Sequence, residues 1–270
     1  MDSAAIDYWT ARALLEWQVE MGADEAILDE PVDRFALVDE TPQPAAAAKP
    51  ANDRERRPPP PPVPIKVEID PVAEARKAVQ GVTTLDALAA AMEAFTHCDI
   101  RKGAKNLVFS DGNPAAKVMI ITEAPGREED IAGKPFAGSA AVLLDRMLDA
   151  IGLSRSGEAP DTSVYLTSVL PWRPPGNRPP EKGEIDMMLP FLTAHIAIVN
   201  PALIVLMGNA PCQALLDQGG ITRLRGNWVE VLNRPALPMF HPAYLLRTPL
   251  AKREAWADLL DLKSRLKALP

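Results

Sequence analysis

Four short apolar runs restrict the fold of this chain more than any other feature of its sequence. They read KVMIIT (117–122), SVYLTSVL (163–170), LIVLMG (203–208) and ALPMFH (236–241), and each is bounded by residues that interrupt regular structure. Runs of this length, apolar at consecutive positions, are typical of strands that are buried on both faces of a parallel sheet. The sequence therefore predicts four such strands.

Helical patterns separate these runs along the chain. Apolar residues recur at helical spacing over residues 138–151, 181–199, 210–217 and 250–267. Strands that alternate with helices indicate an α/β fold, because each connection between parallel strands crosses one face of the sheet. We predict a three-layer α/β/α sandwich with a central, mainly parallel four-stranded sheet, formed by residues 71–270.

The N-terminal quarter of the chain has a different composition. Residues 1–40 form an acidic extension, within which residues 5–22 have the spacing of an amphipathic helix, and residues 41–70 form a linker rich in proline and alanine. The five consecutive prolines that begin at Pro58 exclude helix and central strand from this linker. The helix either docks on a protein partner or on the domain itself, or it is part of a poorly ordered extension.

The formal net charge of −7 belongs to the N-terminal part of the chain. Residues 1–70 carry 15 acidic and 7 basic groups, whereas the rest of the chain carries 21 acidic and 22 basic groups. A nearly neutral domain can present a basic face locally, so the charge does not exclude binding to nucleic acid. The two cysteines imply no disulfide framework, no apolar run is long enough to span a membrane, and the first residues lack the pattern of a signal peptide. We expect a cytoplasmic monomer.

Polar and aromatic residues follow the predicted strands at the edge where a binding site is expected. The loop TEAPGREEDIAGKPFAG follows the first run, Ser168 lies at the end of the second, Asn209 follows the third, and His241 ends the fourth. Open parallel sheets bind their ligands outside the carboxyl ends of the strands. The sequence therefore predicts one pocket at this edge, in which Phe136 lies among glycines and carboxylates.

Three segments of the sequence resemble the motifs of a known family. TEAPGREEDIAGKPFAG, VYLTSVLPWRPPGNR and HPAYLLR occur in the order found in the uracil-DNA glycosylase superfamily. The sequence most resembles family 4 of bacteria and archaea, over about residues 92–265. The resemblance implies that uracil is flipped out of single- or double-stranded DNA and that its N-glycosidic bond is hydrolysed, which leaves an abasic site.

The resemblance also implies roles for two ring-bearing residues. Phe136 matches the family phenylalanine that stacks on uracil, and an aromatic ring among glycines suits a loop that wraps closely around a flat base. His241 matches the family histidine that donates a hydrogen bond to uracil O2, where negative charge grows as the base departs. A neutral imidazole is sufficient for that donation.

The carboxylate that orients the attacking water has two candidates. Many superfamily members have an aspartate at the position of Ala124, which would line the uracil site here. The nearest substitutes are Glu123 and Glu129, and Glu123 is preferred because it follows the strand directly. Glu129 is also placed to interact with the N-terminus of a following turn. We expect Glu128 and Asp130 to be solvated.

Further roles follow from the positions of residues within the three motifs. Ser168 takes the place of a family asparagine whose amide reads the uracil edge, and Asn209 at the next strand end is a second candidate for that task. Leucines after the histidine would fill the space that the flipped base vacates, and arginines would contact phosphates. The residues expected to contact DNA are Arg173, Arg178, Leu245, Leu246 and Arg247.

Family 4 members typically hold a [4Fe–4S] cluster on four cysteines, and this chain lacks most of them. The matching positions carry Phe95, Cys98, Trp172 and Met188, whereas such clusters require thiolates. We therefore predict no cofactor and no metal site. Two other function classes stay open from the sequence: a non-catalytic binder of uracil-containing or abasic DNA, and a metal-dependent phosphohydrolase that uses the carboxylates.

Overall fold

The computed structural model describes residues 70–269 together with Arg12, Leu14 and Leu15. The chain divides into two units, Met1–Pro64 and Ile65–Pro270. The predicted N-terminal helix lies outside the described residues except for those three, which are helical. The proline-rich linker lies outside them except for residue 70. In the described part of the chain, no helix combines the length and the apolar character needed to cross a bilayer.

Residues 70–269 contain both helices and strands. The strands are β1 (Asp111–Gly112), β2 (Val118–Thr122), β3 (Val164–Ser168), β4 (Leu203–Met207), β5 (Val229–Val231) and β6 (Arg234–Met239). The α-helices are α1 (Pro71–Ala78), α2 (Leu85–Ala94), α3 (Arg127–Ala132), α4 (Gly138–Ile151), α5 (Lys182–Val199), α6 (Asn209–Leu216), α7 (Ile221–Leu224), α8 (Pro242–Arg247) and α9 (Lys252–Lys267). The four helical patterns of the sequence correspond to α4, α5, α6 and α9.

The strands form one mixed sheet in the order β1-β3-β2-β4-β6-β5. The inner strands β3, β2, β4 and β6 run parallel to one another, and each corresponds to one of the four apolar runs. The outer strands β1 and β5 are antiparallel to their neighbours. The prediction of an α/β fold is therefore confirmed, whereas the prediction of a four-stranded sheet is wrong.

The two edge strands were missed because neither is an apolar run. β1 consists of Asp111 and Gly112 alone, and β5 is three residues long and partly exposed. The hairpin from β5 to β6 turns through Leu232 and Asn233, whose φ angles are 48° and 60°. Two-residue hairpins with positive φ usually contain Asn-Gly or Gly-Gly, so this turn gave no recognisable signal.

Side chains of the inner strands alternate between two hydrophobic cores. From β2, Met119 and Ile121 pack in the core that includes residues of α1, α2 and α5. Val118 and Ile120 pack in the opposite core, with residues of α4 and α9. Helices thus cover both faces of the sheet, which explains why the strand sequences are continuously apolar rather than alternating.

The path of the chain across the sheet reverses at β2. From β2 the chain moves outward to β3, and it then returns across β2 to form β4 and β6 on the other side. In open sheets of this kind, the crevice outside the carboxyl ends of the strands at such a switch point is the usual ligand site. The fold therefore places a site between the loop after β2 and the N-terminus of α6.

Candidate active site

A cavity of about 610 Å³ lies at this switch point, a size typical of ligand pockets. Its walls come from the loop after β2, the N-terminus of α6, the first turn of α8 and the prolines that precede α5. The predicted site residues that line it are Glu123, Ala124, Glu129, Asn209, His241 and Arg247.

The carboxylate of Glu129 closes the loop after β2 on itself. Its Oε2 accepts a hydrogen bond from the backbone N–H of Gly126, and its Oε1 accepts one from the N–H of Phe136 at 2.7 Å. Hydrogen bonds to an ionised carboxylate are among the stronger ones in proteins. Burial raises the pKa of Glu129 above its usual value, and the two N–H donors oppose that shift. Both oxygens are therefore used to hold the loop.

The ring of Phe136 stacks on the imidazole of His241. The two ring centroids are 5.3 Å apart, and the ring planes are inclined by 14°. Phe136 is 2% exposed, and its φ of 55° lies in the left-handed region, which costs a residue other than glycine about 1–3 kcal/mol. The structure thus brings together the two residues to which the motifs assign stacking and charge stabilisation.

His241 precedes α8 and caps its N-terminus. Its Nδ1 accepts a hydrogen bond from the N–H of Ala243 at 3.1 Å, so the proton of the neutral ring lies on Nε2. Burial, together with the nearby charge of Arg247, lowers the pKa of His241 to about 4. The imidazole is therefore neutral at pH 7 and offers its Nε2–H as a hydrogen-bond donor.

The carboxylate of Glu123 links the end of β2 to the N-terminus of α6. Its Oε1 accepts hydrogen bonds from the N–H groups of Asn209 at 2.8 Å and Ala210 at 3.4 Å. Gly208 has a φ of 102°, and a Cβ atom there would lie 2.5 Å from Oε1, so this approach requires glycine. No hydrogen bond from a described residue reaches Oε2, which leaves that oxygen able to accept one from water.

Comparison with known proteins identifies the family. A model of the uracil DNA glycosylase superfamily matches residues 109–260. The chain belongs to this superfamily. It is similar to the type-4 uracil-DNA glycosylase of Thermotoga maritima, with 35% identity over 177 residues that span 64% of this chain and 89% of the relative. It is also similar to the type-4 uracil-DNA glycosylase of Saccharolobus solfataricus, with 34% identity over 196 residues that span 69% of this chain and 88% of the relative.

Two other acidic residues of the superfamily's first motif differ in their surroundings. Asp130 is 5% exposed, and its Oδ1 accepts hydrogen bonds from the N–H groups of Lys105 at 2.8 Å and Asn106 at 3.1 Å. The expectation that Asp130 is solvated is therefore wrong, because the Asp130 carboxylate holds the loop that contains Lys105 and Asn106. Glu128 is exposed and lines the cavity.

The two candidates for reading the base are both bonded to the backbone. Ser168 is 7% exposed, and its hydroxyl donates to the carbonyl oxygen of Leu170 at 2.7 Å. The Oδ1 of Asn209 accepts from the N–H groups of Gly220 at 3.1 Å and Ile221 at 2.9 Å. The Nδ2 group of Asn209 is left as a donor, and Asn209, unlike Ser168, lines the cavity.

Two predicted DNA contacts, Arg173 and Arg178, lie in the loop between β3 and α5 and have partners within the protein. The Nε of Arg173 donates to Oδ1 of Asn177 at 2.6 Å. Arg178 donates two hydrogen bonds to the carboxylate of Glu184 in α5, one of them at 2.9 Å. Both side chains therefore shape the loop itself. Arg247, by contrast, is exposed at the wall of the cavity.

The adjacent leucines of α8 differ in burial. Leu245 is 1% exposed and packs in a small core with Phe240, Ala251 and Ala255. Leu246 is 42% exposed. Of the two predicted wedge residues, only Leu246 is available to DNA without unpacking this core.

Arg155 contacts the site, although no pattern in the sequence indicates it. Its Nη1 donates a hydrogen bond to the carbonyl oxygen of Phe136 at 2.9 Å, across 19 positions of sequence. Its Nε and Nη2 donate to the two carboxylate oxygens of Asp145 in α4, each at 2.7 Å. Neither motif nor spacing signals such a contact, because it exists only once α4 has turned the chain back toward the sheet.

The positions that match the cluster ligands of family 4 do not fit an iron–sulfur cluster. Phe95, Cys98, Trp172 and Met188 are each at most 5% exposed and belong to one hydrophobic core. A single thiol cannot replace the four ligands that such a cluster requires. Over residues 70–269, no group of three or more histidine, cysteine or acidic side chains has an arrangement that could hold a metal ion.

Proposed function

We propose that this chain is a uracil-DNA glycosylase that flips uracil out of DNA and hydrolyses its N-glycosidic bond. The observation that carries the proposal is the stacking of Phe136 on a neutral His241 beside the cavity at the switch point of the sheet. Membership of the superfamily supports it, as do relatives that are named type-4 uracil-DNA glycosylases. The products are free uracil and DNA with an abasic site.

Stacking on Phe136 supplies binding energy for the flipped base. A base that leaves the duplex loses a few kcal/mol of stacking and pairing, and a contact with an aromatic ring returns about 1–3 kcal/mol. The Phe136 ring is 2% exposed and partly covered by the imidazole of His241. The ring does not line the cavity itself, so the proposed stacking requires a change in the side chains that cover it.

His241 stabilises the departing base. Cleavage of the glycosidic bond leaves negative charge on uracil O2, and the Nε2–H of His241 is a donor for that oxygen. Its depressed pKa keeps the ring neutral, so no proton has to be taken up before catalysis. A donor of this kind typically contributes about 10²–10³-fold to the rate.

Glu123 is assigned to the attacking water and Glu129 to the loop. The sugar becomes oxocarbenium-like as the base leaves, and a carboxylate near it both stabilises positive charge and orients water. Glu123 has one oxygen fixed by α6 and the other able to accept from water. Glu129 uses both oxygens on backbone N–H groups.

Asn209 is assigned to recognition of the base. Because its Oδ1 is occupied by two N–H groups, its free Nδ2 group can only donate. A donor favours a base that presents a carbonyl oxygen and disfavours one that presents an amino group. This preference distinguishes uracil from cytosine.

Excision by the full chain from single- and double-stranded oligonucleotides that carry one uracil tests the proposal. We expect strand breaks at the uracil position after alkali treatment. Matched oligonucleotides with cytosine at that position are expected to stay intact. Uracil-containing DNA that is retained by the protein in a gel shift but never broken would contradict excision and identify a non-catalytic binder.

A further inference from the structure

Two charged side chains hold the two peptide groups that flank Phe136. Oε1 of Glu129 accepts from the Phe136 N–H at 2.7 Å, and Nη1 of Arg155 donates to the Phe136 carbonyl oxygen at 2.9 Å. The φ of 55° lies in a region that phenylalanine rarely adopts unless its surroundings impose it. The direction of the ring therefore depends on both contacts.

Arg155 is itself fixed by a helix, by an edge strand and by the sheet. Its Nε and Nη2 bind both oxygens of Asp145 in α4, each at 2.7 Å, and its Nη1 lies 3.4 Å from Oδ2 of Asp111 in β1. The residue before it, Ser154, accepts a hydrogen bond at its carbonyl oxygen from the N–H of Val164 in β3, at 3.1 Å. A donor anchored in this way can impose a backbone conformation on its acceptor.

We propose that Arg155, oriented by Asp145, is a positioning residue that sets the stacking ring of Phe136 for excision. The proposal rests on the function proposed above and adds a residue that acts through Phe136. Arginine suits this task because its planar fork binds a carboxylate with two groups and keeps a third for a carbonyl oxygen. A lysine ammonium cannot hold both acceptors in the same geometry.

The first test compares Arg155→Met with Arg225→Met in the full chain. Arg225 is a matched control, because it also pairs with a helical carboxylate, that of Asp258, and donates to a backbone carbonyl, that of Glu254, at 3.0 Å. The Arg155 and Arg225 side chains are 20% and 19% exposed, respectively.

The measurement is the single-turnover rate of excision at saturating uracil-containing DNA. We expect Arg155→Met to lower this rate by roughly tenfold. Base–aromatic stacking helps to bind the flipped base, and a loss near the lower end of its usual contribution slows a reaction by about this factor. Arg225 makes no hydrogen bond to Phe136, although its guanidinium lies 5.6 Å from the ring centroid of Phe240, next to His241. Arg225→Met is therefore expected to lower the rate less than Arg155→Met does. Equal rates for the two variants would overturn the proposal.

A double-mutant cycle separates positioning from a general loss of stability. In the Phe136→Ala background there is no ring to position, so the addition of Arg155→Met is expected to change the rate by less than about twofold. If the rate losses of the two single variants multiply in the double variant, Arg155 acts through a residue other than Phe136. Asp145→Asn, which keeps the shape of the side chain, provides the same comparison if Arg155→Met does not fold. The loss of excision rate caused by Asp145→Asn is likewise expected to vanish in the Phe136→Ala background.

Hydrogen exchange over residues 133–140 provides a readout that requires no excision. This segment is expected to exchange faster in Arg155→Met than in Arg225→Met or the wild type, because the Phe136 backbone has lost one of its two charged partners. Unchanged exchange would refute the positioning role. A wild-type chain that leaves uracil in DNA would refute the proposed function instead, and the exchange comparison would still decide the role of Arg155.

Discussion

The ring of His241 caps a helix, and this contact determines which of its nitrogens can donate in the proposed mechanism. Its Nδ1 accepts from the N–H of Ala243 and so begins α8, which leaves the proton of the neutral ring on Nε2. A protonated imidazole would carry a proton on Nδ1 and would lose that cap. Burial disfavours the charged ring as well, and the pKa falls to about 4. The helix cap thus selects the tautomer that the proposed mechanism requires.

The pH dependence of excision tests whether His241 acts as a neutral donor. Because its pKa is lowered from 6.5 to about 4, the neutral ring prevails at all pH values well above 4. We expect the single-turnover rate to stay constant from about pH 8 to about pH 5 and to decline only as the pH approaches that pKa. A rate that falls as the pH rises through 6.5 would instead require a charged imidazole.

Substitution of the same residue gives the size of its contribution. His241→Ala is expected to lower the rate by about 10²–10³-fold at pH 7, as for loss of one charge-stabilising donor. His97→Ala is the control, since His97 is exposed and does not line the cavity. Wild-type rates in His241→Ala would remove this histidine from the mechanism.

Glu123→Gln is expected to lower the excision rate, whereas Glu129→Gln is expected to lower the stability of the protein. In Glu123→Gln the amide oxygen can still accept from the N–H groups of α6, so the fold is kept while the rate falls by about 10²-fold or more. In Glu129→Gln the amide NH₂ faces a backbone N–H, which lowers the free energy of unfolding by about 1–3 kcal/mol. Chemical denaturation and single-turnover kinetics distinguish the two. If Glu123→Gln is stable and excises uracil at the wild-type rate, another carboxylate must orient the water.

Within α8, consecutive leucines divide between the core and the surface. Leu245→Ala removes a buried side chain and is expected to lower the free energy of unfolding by about 2–5 kcal/mol. Leu246→Ala is expected to leave stability unchanged and to slow excision from duplex DNA by about tenfold, because no wedge fills the vacated stack. Single-stranded DNA offers no stack to fill, so its excision is the control. Equal losses on both substrates would contradict a wedge role.

The elements differ in how much of them the sequence could predict. The inner strands were predictable because burial on both faces leaves a continuous apolar run, as in Val118–Thr122. The edge strands were not, since Asp111–Gly112 pairs through its backbone and has no apolar side chain to mark it. The bond from Arg155 to the Phe136 carbonyl was equally hidden, because a backbone acceptor can be recognised only when the fold is known.

At the scale of the whole molecule, the positions that match the cluster ligands of family 4 belong to one apolar core. Phe95 follows α2, Trp172 lies in the loop after β3 and Met188 lies in α5, yet all three join one core. The Phe95 ring packs edge-on against that of Phe191, with centroids 5.2 Å apart. Apolar burial, which contributes about 25 cal/mol per Å², can connect these segments without iron.

This arrangement predicts that the full chain is stable and active without iron. Protein purified under anaerobic conditions from iron-supplemented cells is expected to be colourless, because one cysteine cannot assemble a cluster that needs four ligands. Its excision rate and thermal unfolding are expected to be unchanged by chelators and oxidants. Met188→Ala is expected to lower the free energy of unfolding by about 2–5 kcal/mol, as for any buried apolar side chain. About four irons and four sulfides per chain would contradict this prediction and the matching of positions behind it.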